Sequence, residues 1–404
     1  MITRGARLEP AGRPRVLIFR STLLGRSEAF IREQGEALER FEPWYAGCRR
    51  GEAAVPHERS VVVNRGGTMG RLRELLFKLT NVAPRLRHRV CAVAPALVHA
   101  HFGPDAAVIL PLTRSLGVPL VTTFHGYDAT MADGYARRSF FLHRRYLARR
   151  AELQRDGSLF IAVSDFIRGR LLEQGYPPER TVVHSIGVPL DRFRPTPGGE
   201  RKPIVLFVGR LAPEKGCAHL IDVMRRVEQE CPDAELVVVG DGPLRHSLER
   251  AAQGVPRCRF VGAVAQPEVI AWMDRAQVLC VPSVTLPSEE AEGFGLVFAE
   301  AQAMGLPVVS YAVGGIPEAV AHGETGFLAA EGERAMLFAH LVRLLRDAGL
   351  RARMGEAGRR RAERLFDLRS ATRELERLYV GVLSEPAVAV APRRLIPRHA
   401  RMAG

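Results

Sequence analysis

The strongest constraint on this chain is a rhythm that runs through it twice. Short, uninterrupted apolar runs alternate with longer amphipathic segments. Val16–Phe19, Leu97–His101, Leu120–Phe124, Leu159–Val163 and Thr181–His184 form a first set of candidate strands. Ile204–Val208, Leu236–Val239, Arg259–Val261, Val278–Val281 and Val308–Ser310 form a second. Runs that are continuous rather than alternating belong to strands covered on both faces, hence to parallel sheets. Segments such as Glu28–Arg40 and His219–Glu230 supply helices between them, and that alternation predicts doubly wound α/β domains. Between the two sets lies Arg194–Lys202 (RPTPGGERK), two prolines and two glycines among charges with no apolar residue, which reads as a linker.

The chain therefore divides into an N-terminal Rossmann-like domain over 1–193, the linker 194–202 and a second Rossmann-like domain over 203–367. A helix follows over 368–384, with Leu375, Leu378, Tyr379 and Val382 on one side, and then a basic Pro/Ala/Arg-rich tail over 385–404 that reads as disordered. Two such domains face each other across a cleft at the carboxyl ends of their strands, so the functional motifs are expected just after strands.

Net charge is +14, and nearly all of the excess sits in the first half: residues 1–195 carry 31 basic and 18 acidic side chains, against 27 and 26 in the remainder. Such an asymmetry points to an anionic partner, the alternative being an arginine-rich composition without functional meaning. The six cysteines form no C-x-x-C pair and read as buried apolar residues of a reducing compartment. No apolar region follows the polar residues 1–13, and no stretch approaches the ~18 apolar residues of a membrane span. The expectation is a cytoplasmic protein.

After Ile204–Val208 comes Gly209-Arg210-Leu211-Ala212-Pro213-Glu214-Lys215-Gly216. Gly209 allows a sharp turn, and two cations then stand before a helix whose N-terminus is already positive. An anion held by Arg210, Lys215 and the backbone amides would satisfy them all, the alternative being a solvated basic loop. A second motif, Glu292-Gly293-Phe294-Gly295-Leu296-Val297-Phe298-Ala299-Glu300, leads from strand Val278–Val281 into a helix over Leu296–Met304. Its glycines let a ligand approach the backbone, and the amides of Gly295, Leu296 and Val297 are available to it. Glu300, just over a turn further on, can accept two hydrogen bonds from a vicinal diol, which a sugar offers and a phosphate does not. A glycosidase pair made of Glu292 and Glu300 is disfavoured, because two carboxyls sharing a turn and its adjoining helix do not flank one scissile bond.

G-R-L-x-x-E-K-G, the E-x7-E pair inside E-G-F-G, V-V-V-G-D-G-P (237–243) and G-G-I-P-E-x-V…G-x-T-G-F-L (314–328) occur in that combination. They resemble the retaining glycosyltransferases of family 4, which have the GT-B fold of two facing Rossmann-like domains, an interdomain cleft and a closing C-terminal helix. The resemblance implies that Arg210 and Lys215 hold the diphosphate of a nucleotide-diphospho-sugar, that Glu300 holds its ribose, and that Glu292, Phe294 and Gly295 hold the donor sugar. It implies that His125, in T-T-F-H-G-Y-D (122–128) at a strand end, contacts the transferred sugar at the reaction centre. The loop Ser21–Arg26 occupies the place of a phosphate-binding glycine loop, with Gly25 alone where many relatives have a pair. The S-E-x-F-I segment at 27–31 is similar to the subgroup that builds exopolysaccharides such as colanic acid.

His99 and His101 share a strand face, but no third ligand has metal spacing, so they read as structural. The chain contains no D-x-D, the metal-binding motif of the other major transferase fold, so neither a metal nor any other cofactor is expected. The combined expectation is a metal-independent, retaining transfer of a hexose from a UDP- or GDP-sugar to a glycan acceptor, one linked to a polyprenyl diphosphate, in cell-surface polysaccharide synthesis. A nucleotide-sugar epimerase of the same fold is the alternative. Nucleic acid is disfavoured as a partner because the basic segments lack interleaved aromatics, and a dinucleotide oxidoreductase because no G-x-G-x-x-G follows the first strand. Gly70–Arg89 and Arg137–Arg150 mix leucine or phenylalanine with arginine, the pattern of segments that lie on an anionic membrane surface, so a peripheral position at the inner face of the cell membrane is expected.

Overall fold

The computed structural model describes residues 12–25, 28–52, 55–139 and 141–384. Arg26 and Ser27 of the glycine-loop region, and the tail 385–404, lie outside the described residues.

Among the described residues fifteen strands follow one another: β1 Arg15–Phe19, β2 Thr22–Leu23, β3 Glu42–Gly47, β4 Arg49–Arg50, β5 Ser60–Val62, β6 Leu97–His101, β7 Leu120–Phe124, β8 Leu159–Ala162 and β9 Thr181–Val183 in the first half. The second half contributes β10 Ile204–Val208, β11 Glu235–Val239, β12 Cys258–Gly262, β13 Val278–Cys280, β14 Val308–Tyr311 and β15 Gly326–Ala329. Two parallel sheets result, ordered β5-β3-β1-β6-β7-β8-β9 and β12-β11-β10-β13-β14-β15, with β2 and β4 a small separate pair. Counting sheet members only, each runs third, second, first, fourth, fifth, sixth, with a seventh strand added at the end of the first sheet, the dinucleotide-fold order that reverses direction beside its first strand. The apolar runs are buried along their length, as β6, β7, β8, β13 and β14 show. The fold is α/β with two Rossmann-like halves.

Three sheet strands escaped the sequence reading. Glu42–Gly47 carries Glu, Pro and Trp, and Ser60–Val62 is only three residues long; both lie on the outer half of the first sheet, where the apolar run is weakest. Gly326–Ala329 is the edge strand of the second sheet, inside a stretch read only as a motif. The helix expected over Glu28–Arg40 stops at Glu36, because Leu38 and Phe41 turn into the core. Cys48, Cys217 and Cys280 are buried as expected, whereas Cys91 is exposed on the outer side of helix Pro84–Val93.

The chain crosses between the halves twice. At the second crossing Val188 N–H donates to the Phe366 carbonyl and Leu368 N–H returns a bond to Val188, at 2.6 and 3.0 Å. Helix Leu368–Ser384 then packs on the N-terminal half, placing Leu375, Leu378 and Tyr379 in one buried cluster with Val16, Ile18, Leu97 and Val121.

The two basic segments behave differently. Helix Phe141–Asp156 packs on helix Gly103–Leu116, burying Tyr146 and Leu153, and Leu142 and Leu147 sit against the core. Among its described residues only Phe141 shows an exposed large apolar side chain, so helix Phe141–Asp156 serves the core rather than a surface. Helix Gly67–Thr80 does the opposite and leaves its leucines exposed. Among the described residues no helix is long and apolar enough to cross a membrane.

Candidate active site

One cavity of about 500 Å³ opens between the halves, within the range of small-molecule sites. Phe30, Glu33, Phe102 and His125 line it from the first half; Gly209, Arg210, Lys215, Glu292, Gly295, Leu296, Val297 and Glu300 line it from the second. His125 follows β7 directly and Gly209 follows β10 directly, so the carboxyl ends of both sheets contribute, as the topology requires.

The glycine motif owes its sequence to close approach. A methyl group at Gly293 would collide with the carbonyl oxygen of His125, and methyls at Gly314 and Gly315 would strike the carbonyls of Glu292 and Gly293. The 292–295 turn is thus clamped between the β7 loop of the opposite half and the loop after β14. Gly295 has φ +79°, a left-handed conformation that favours glycine, and starts helix Leu296–Ala303 without a side-chain cap. Ser164 caps helix Asp165–Glu173 by accepting from Ile167 N–H at 3.1 Å, and its hydroxyl also donates to the Gly293 carbonyl at 2.6 Å. Glu318 of G-G-I-P-E reaches the same helix start, accepting from the amides of Asp165 and Phe166 at 2.7 and 2.8 Å. Burial raises the Glu318 pKa while those two bonds oppose the shift.

The cations are not waiting for an anion, as the sequence reading supposed. Lys215 Nζ donates to Glu292 Oε2 at 2.5 Å, and Arg210 to Glu214 Oε1 at 2.6 Å. Carboxylates inside and beside the two motifs balance both charges. Lys215 ends a single tight turn, Pro213–Lys215, and Gly216 separates it from helix Cys217–Glu230, which relieves its conflict with the helix dipole. Arg210 keeps 63% of its side chain exposed.

Glu300 lines the cleft with no ion pair or side-chain hydrogen bond among the described residues. Burial, reinforced by the charge of Glu33, pushes its carboxyl up to about 7, and Arg192 opposes this. Glu33 itself pairs with Arg192 at 2.8 Å.

His125 Nε2 lies 3.0 Å from His101 Nδ1 in a buried row of imidazoles. His99, stacked on His101 at 4.4 Å, meets Tyr379 through Nδ1 at 2.6 Å and Thr123 through Nε2 at 2.7 Å. Burial, with Arg20 nearby, lowers the His125 pKa to about 3, so the ring is neutral and can exchange hydrogen bonds but carries no charge near pH 7. Asp128 holds its loop by accepting from the amides of His125, Gly126 and Gly103 at 3.0–3.1 Å.

Two expected site residues fall elsewhere. The Phe294 side chain is buried and meets Phe366 edge-on at 5.4 Å, so it anchors the turn instead of facing a ligand. Gly25 is not part of the cavity lining, and its N–H is taken by Glu28 Oε2 at 3.1 Å. Sequence reasoning also missed Arg20, which forms ion pairs with Glu28 and Asp105 and lies over the Phe102 ring at 4.2 Å. Its position directly after β1, at the topological switch point, was the available signal. Among the described residues no group of three or more His, Cys, Asp or Glu could hold a metal ion.

Residues 28–192 match the family model described as Glycosyltransferase Family 4, and residues 191–361 match the one described as Glycosyl transferases group 1. WcaL of Escherichia coli, provisionally named a colanic acid biosynthesis glycosyltransferase, is 31% identical over 291 residues, 69% of each chain. The amylovoran biosynthesis glycosyltransferase AmsK of Erwinia amylovora is 30% identical over 284 residues, 69% of this chain and 68% of that one. The crystal structure of Anabaena HepE in complex with UDP and glucose superposes with a TM-score of 0.71 at 21% identity, covering 91% of this chain and all of HepE. Family models spanning both halves, a relative above 30% identity across two thirds of the chain, and two facing Rossmann-like halves together place this protein in glycosyltransferase family 4, with the GT-B fold.

Proposed function

We propose that the protein transfers a hexose, with retention of anomeric configuration and without a metal, from a UDP- or GDP-sugar to a hydroxyl of a lipid-linked glycan acceptor. The observation that carries this reading is the cleft itself: Lys215, Arg210 and an uncapped helix start lie on one wall with the unpaired carboxylate of Glu300, and His125 lies on the other. Cations and amides suit a diphosphate, and a carboxylate without a partner suits a diol.

Binding exchanges partners. The diphosphate takes Lys215 from Glu292 and Arg210 from Glu214, and Glu292 is freed to accept from hydroxyls of the donor sugar. The bond from the anomeric carbon to the diphosphate oxygen then breaks, and the acceptor oxygen bonds to that carbon on the same face. The acceptor's proton passes to the leaving diphosphate, so no protein nucleophile is consumed. Charge growing on the diphosphate meets groups already in position, the usual source of large rate gains. Neutral His125 offers the transferred sugar a hydrogen bond without adding charge beside the cationic anomeric centre.

The names of WcaL and AmsK support exopolysaccharide synthesis as the process, and the UDP and glucose bound to HepE support the donor class. The exposed leucines of helix Gly67–Thr80 and the basic first half support a peripheral position on the inner face of the cell membrane. A donor screen tests the activity: thermal shift and hydrolysis across UDP-, GDP- and ADP-sugars, with the anomeric configuration of the product read by NMR. A UDP- or GDP-sugar should stabilise the protein and be consumed with retention. No stabilisation and no turnover by any of them, with or without acceptor, removes the reading.

A further inference from the structure

A second cavity, of about 770 Å³, is lined by Arg49, Arg50, Arg65, Arg71 and Arg89. Its one carboxylate among the described residues, Glu74, is already occupied, accepting from Asn64 at 2.8 Å and from Lys78 at 2.5 Å. Among the described residues the guanidinium groups of Arg49 and Arg50 donate only to hydroxyls, those of Thr22 and Ser60, at 3.1 and 2.8 Å. No ion pair to any of the five arginines occurs among the described residues. Burial lowers the Arg89 pKa, and Arg65 and Arg50 lower it further, as cations crowded together do.

The place of this cavity in the fold gives it meaning. Arg49 and Arg50 follow β3, and Arg65 follows β5, so the cavity lies on the same carboxyl edge of the first sheet as His125. From β7 to β3 and β5 is three to four strand spacings, or roughly 14–19 Å at about 4.8 Å each. Helix Gly67–Thr80 leaves this rim, and its Met69, Leu72, Leu75, Leu76 and Leu79 are 47–58% exposed, an unpartnered apolar face beside an unpartnered cationic hollow.

Resting on the reading of the chain as a transferase with a lipid-linked acceptor, we infer that the arginine cavity binds the phosphate or diphosphate headgroup of that lipid, whose hydrocarbon chain lies in a bilayer entered by the leucine face. Arginine clusters bind phosphate oxygens through paired N–H donors, and an exposed leucine face flanked by cations seats itself in an anionic interface. The spacing has a consequence for the substrate. An acceptor phosphate held there stands several sugar units away from a hydroxyl at His125, so the protein extends an oligosaccharide already begun rather than adding the first sugar to the lipid.

Full-length protein is sedimented with neutral phosphatidylcholine vesicles containing a polyprenyl diphosphate, the corresponding polyprenol, or phosphatidylserine at equal charge. The diphosphate vesicles should bind at least ~10-fold more tightly than either of the others, the scale of several cation–phosphate contacts. Arg65→Ala/Arg71→Ala/Arg89→Ala, all at exposed or half-exposed positions, should abolish that preference and leave UDP and GDP titrations unchanged. Leu72→Ser/Leu76→Ser should weaken vesicle binding without changing the titration of inorganic diphosphate. Retention of the preference by the triple variant overturns the cavity assignment. Inorganic diphosphate binding as tightly as the lipid, or phosphatidylserine serving as well, overturns the lipid headgroup. Absence of UDP and GDP binding in the wild type counts against the transferase reading instead, whatever the vesicles show.

Discussion

Lys215 and Glu292 neutralise one another at 2.5 Å, so a diphosphate entering the cleft has to displace a carboxylate rather than fill an empty cationic site. Lys215→Ala should lower kcat/KM by roughly 10²–10³, the loss of one preorganised stabiliser of transition-state charge, with the thermal melt unchanged. Activity within a few-fold of wild type removes Lys215 from the diphosphate site. Glu292→Gln should bind free nucleoside diphosphate at least as well as wild type, because it releases Lys215, yet bind the intact donor worse; calorimetry with both ligands reads the split. Glu300 carries a pH signature. Its pKa lies above the ordinary carboxylate value, near 7, so the neutral form stabilises the folded protein at low pH and that stabilisation is lost as pH rises through about 7. The melting temperature of the free protein should therefore fall more between roughly pH 5 and pH 8 than that of Glu300→Gln. Nucleotide affinity should run the other way, weakening as pH drops below about 7 in wild type and staying flat in the variant. Parallel curves for the two proteins contradict the assignment.

At the scale of elements, the 292–295 turn shows how packing dictates sequence. Gly293 touches the His125–Gly126 backbone and accepts the Ser164 hydroxyl, while Ala291 N–H donates to Thr130 and Ala132 N–H to the Ser288 carbonyl. One stretch of the second half is thereby stitched to one loop of the first. Gly293→Ala inserts a methyl where a backbone carbonyl sits and should push the two walls of the cleft apart. A displacement of about 1 Å costs on the order of 10²-fold in rate, so kcat should fall by that much while nucleotide binding, which the proposed reading assigns to the second half, changes little. Near-wild-type turnover means that the interface tolerates opening. The sequence made the turn and its glycines legible, because a Gly-x-Gly between a strand and a helix has few conformations. It left illegible the direction of Phe294, which only the neighbouring Phe366 decides.

At the scale of the whole molecule, the C-terminal helix returns to the half it does not follow in sequence. Tyr379 is buried there, 2.6 Å from His99 and edge-on to Phe41 at 5.4 Å. Tyr379→Ala should destabilise the N-terminal half by about 3–5 kcal/mol, the range for deleting a large buried aromatic side chain. Trp44 lies in the first half and Trp272 in the second, so urea unfolding followed in a Trp272→Phe background reports on the half concerned. An unchanged unfolding midpoint reported by Trp44 contradicts the docking. The imidazole row from Tyr379 to His125 ends at the proposed reaction site, so the same variant should also lower turnover.

The order of residues alone specifies the class of fold, since continuous apolar runs spaced by amphipathic segments suit parallel strands covered on both faces. It also determined where chemistry would gather, because the glycine motifs sit immediately after strands. Tertiary structure decided the partners. Lys215 meets Glu292 across 77 residues, Glu318 caps a helix 152 and 153 residues away, and His99 meets Tyr379 across 280. It also decided that the leucines of Gly67–Thr80 stay outside while those beside Arg137–Arg150 go in. Periodicity specifies which side chains share a face, a local matter of 3.6 or 2 residues. What that face meets depends on elements distant in sequence, and hydrogen bonds and ion pairs act over only a few ångströms.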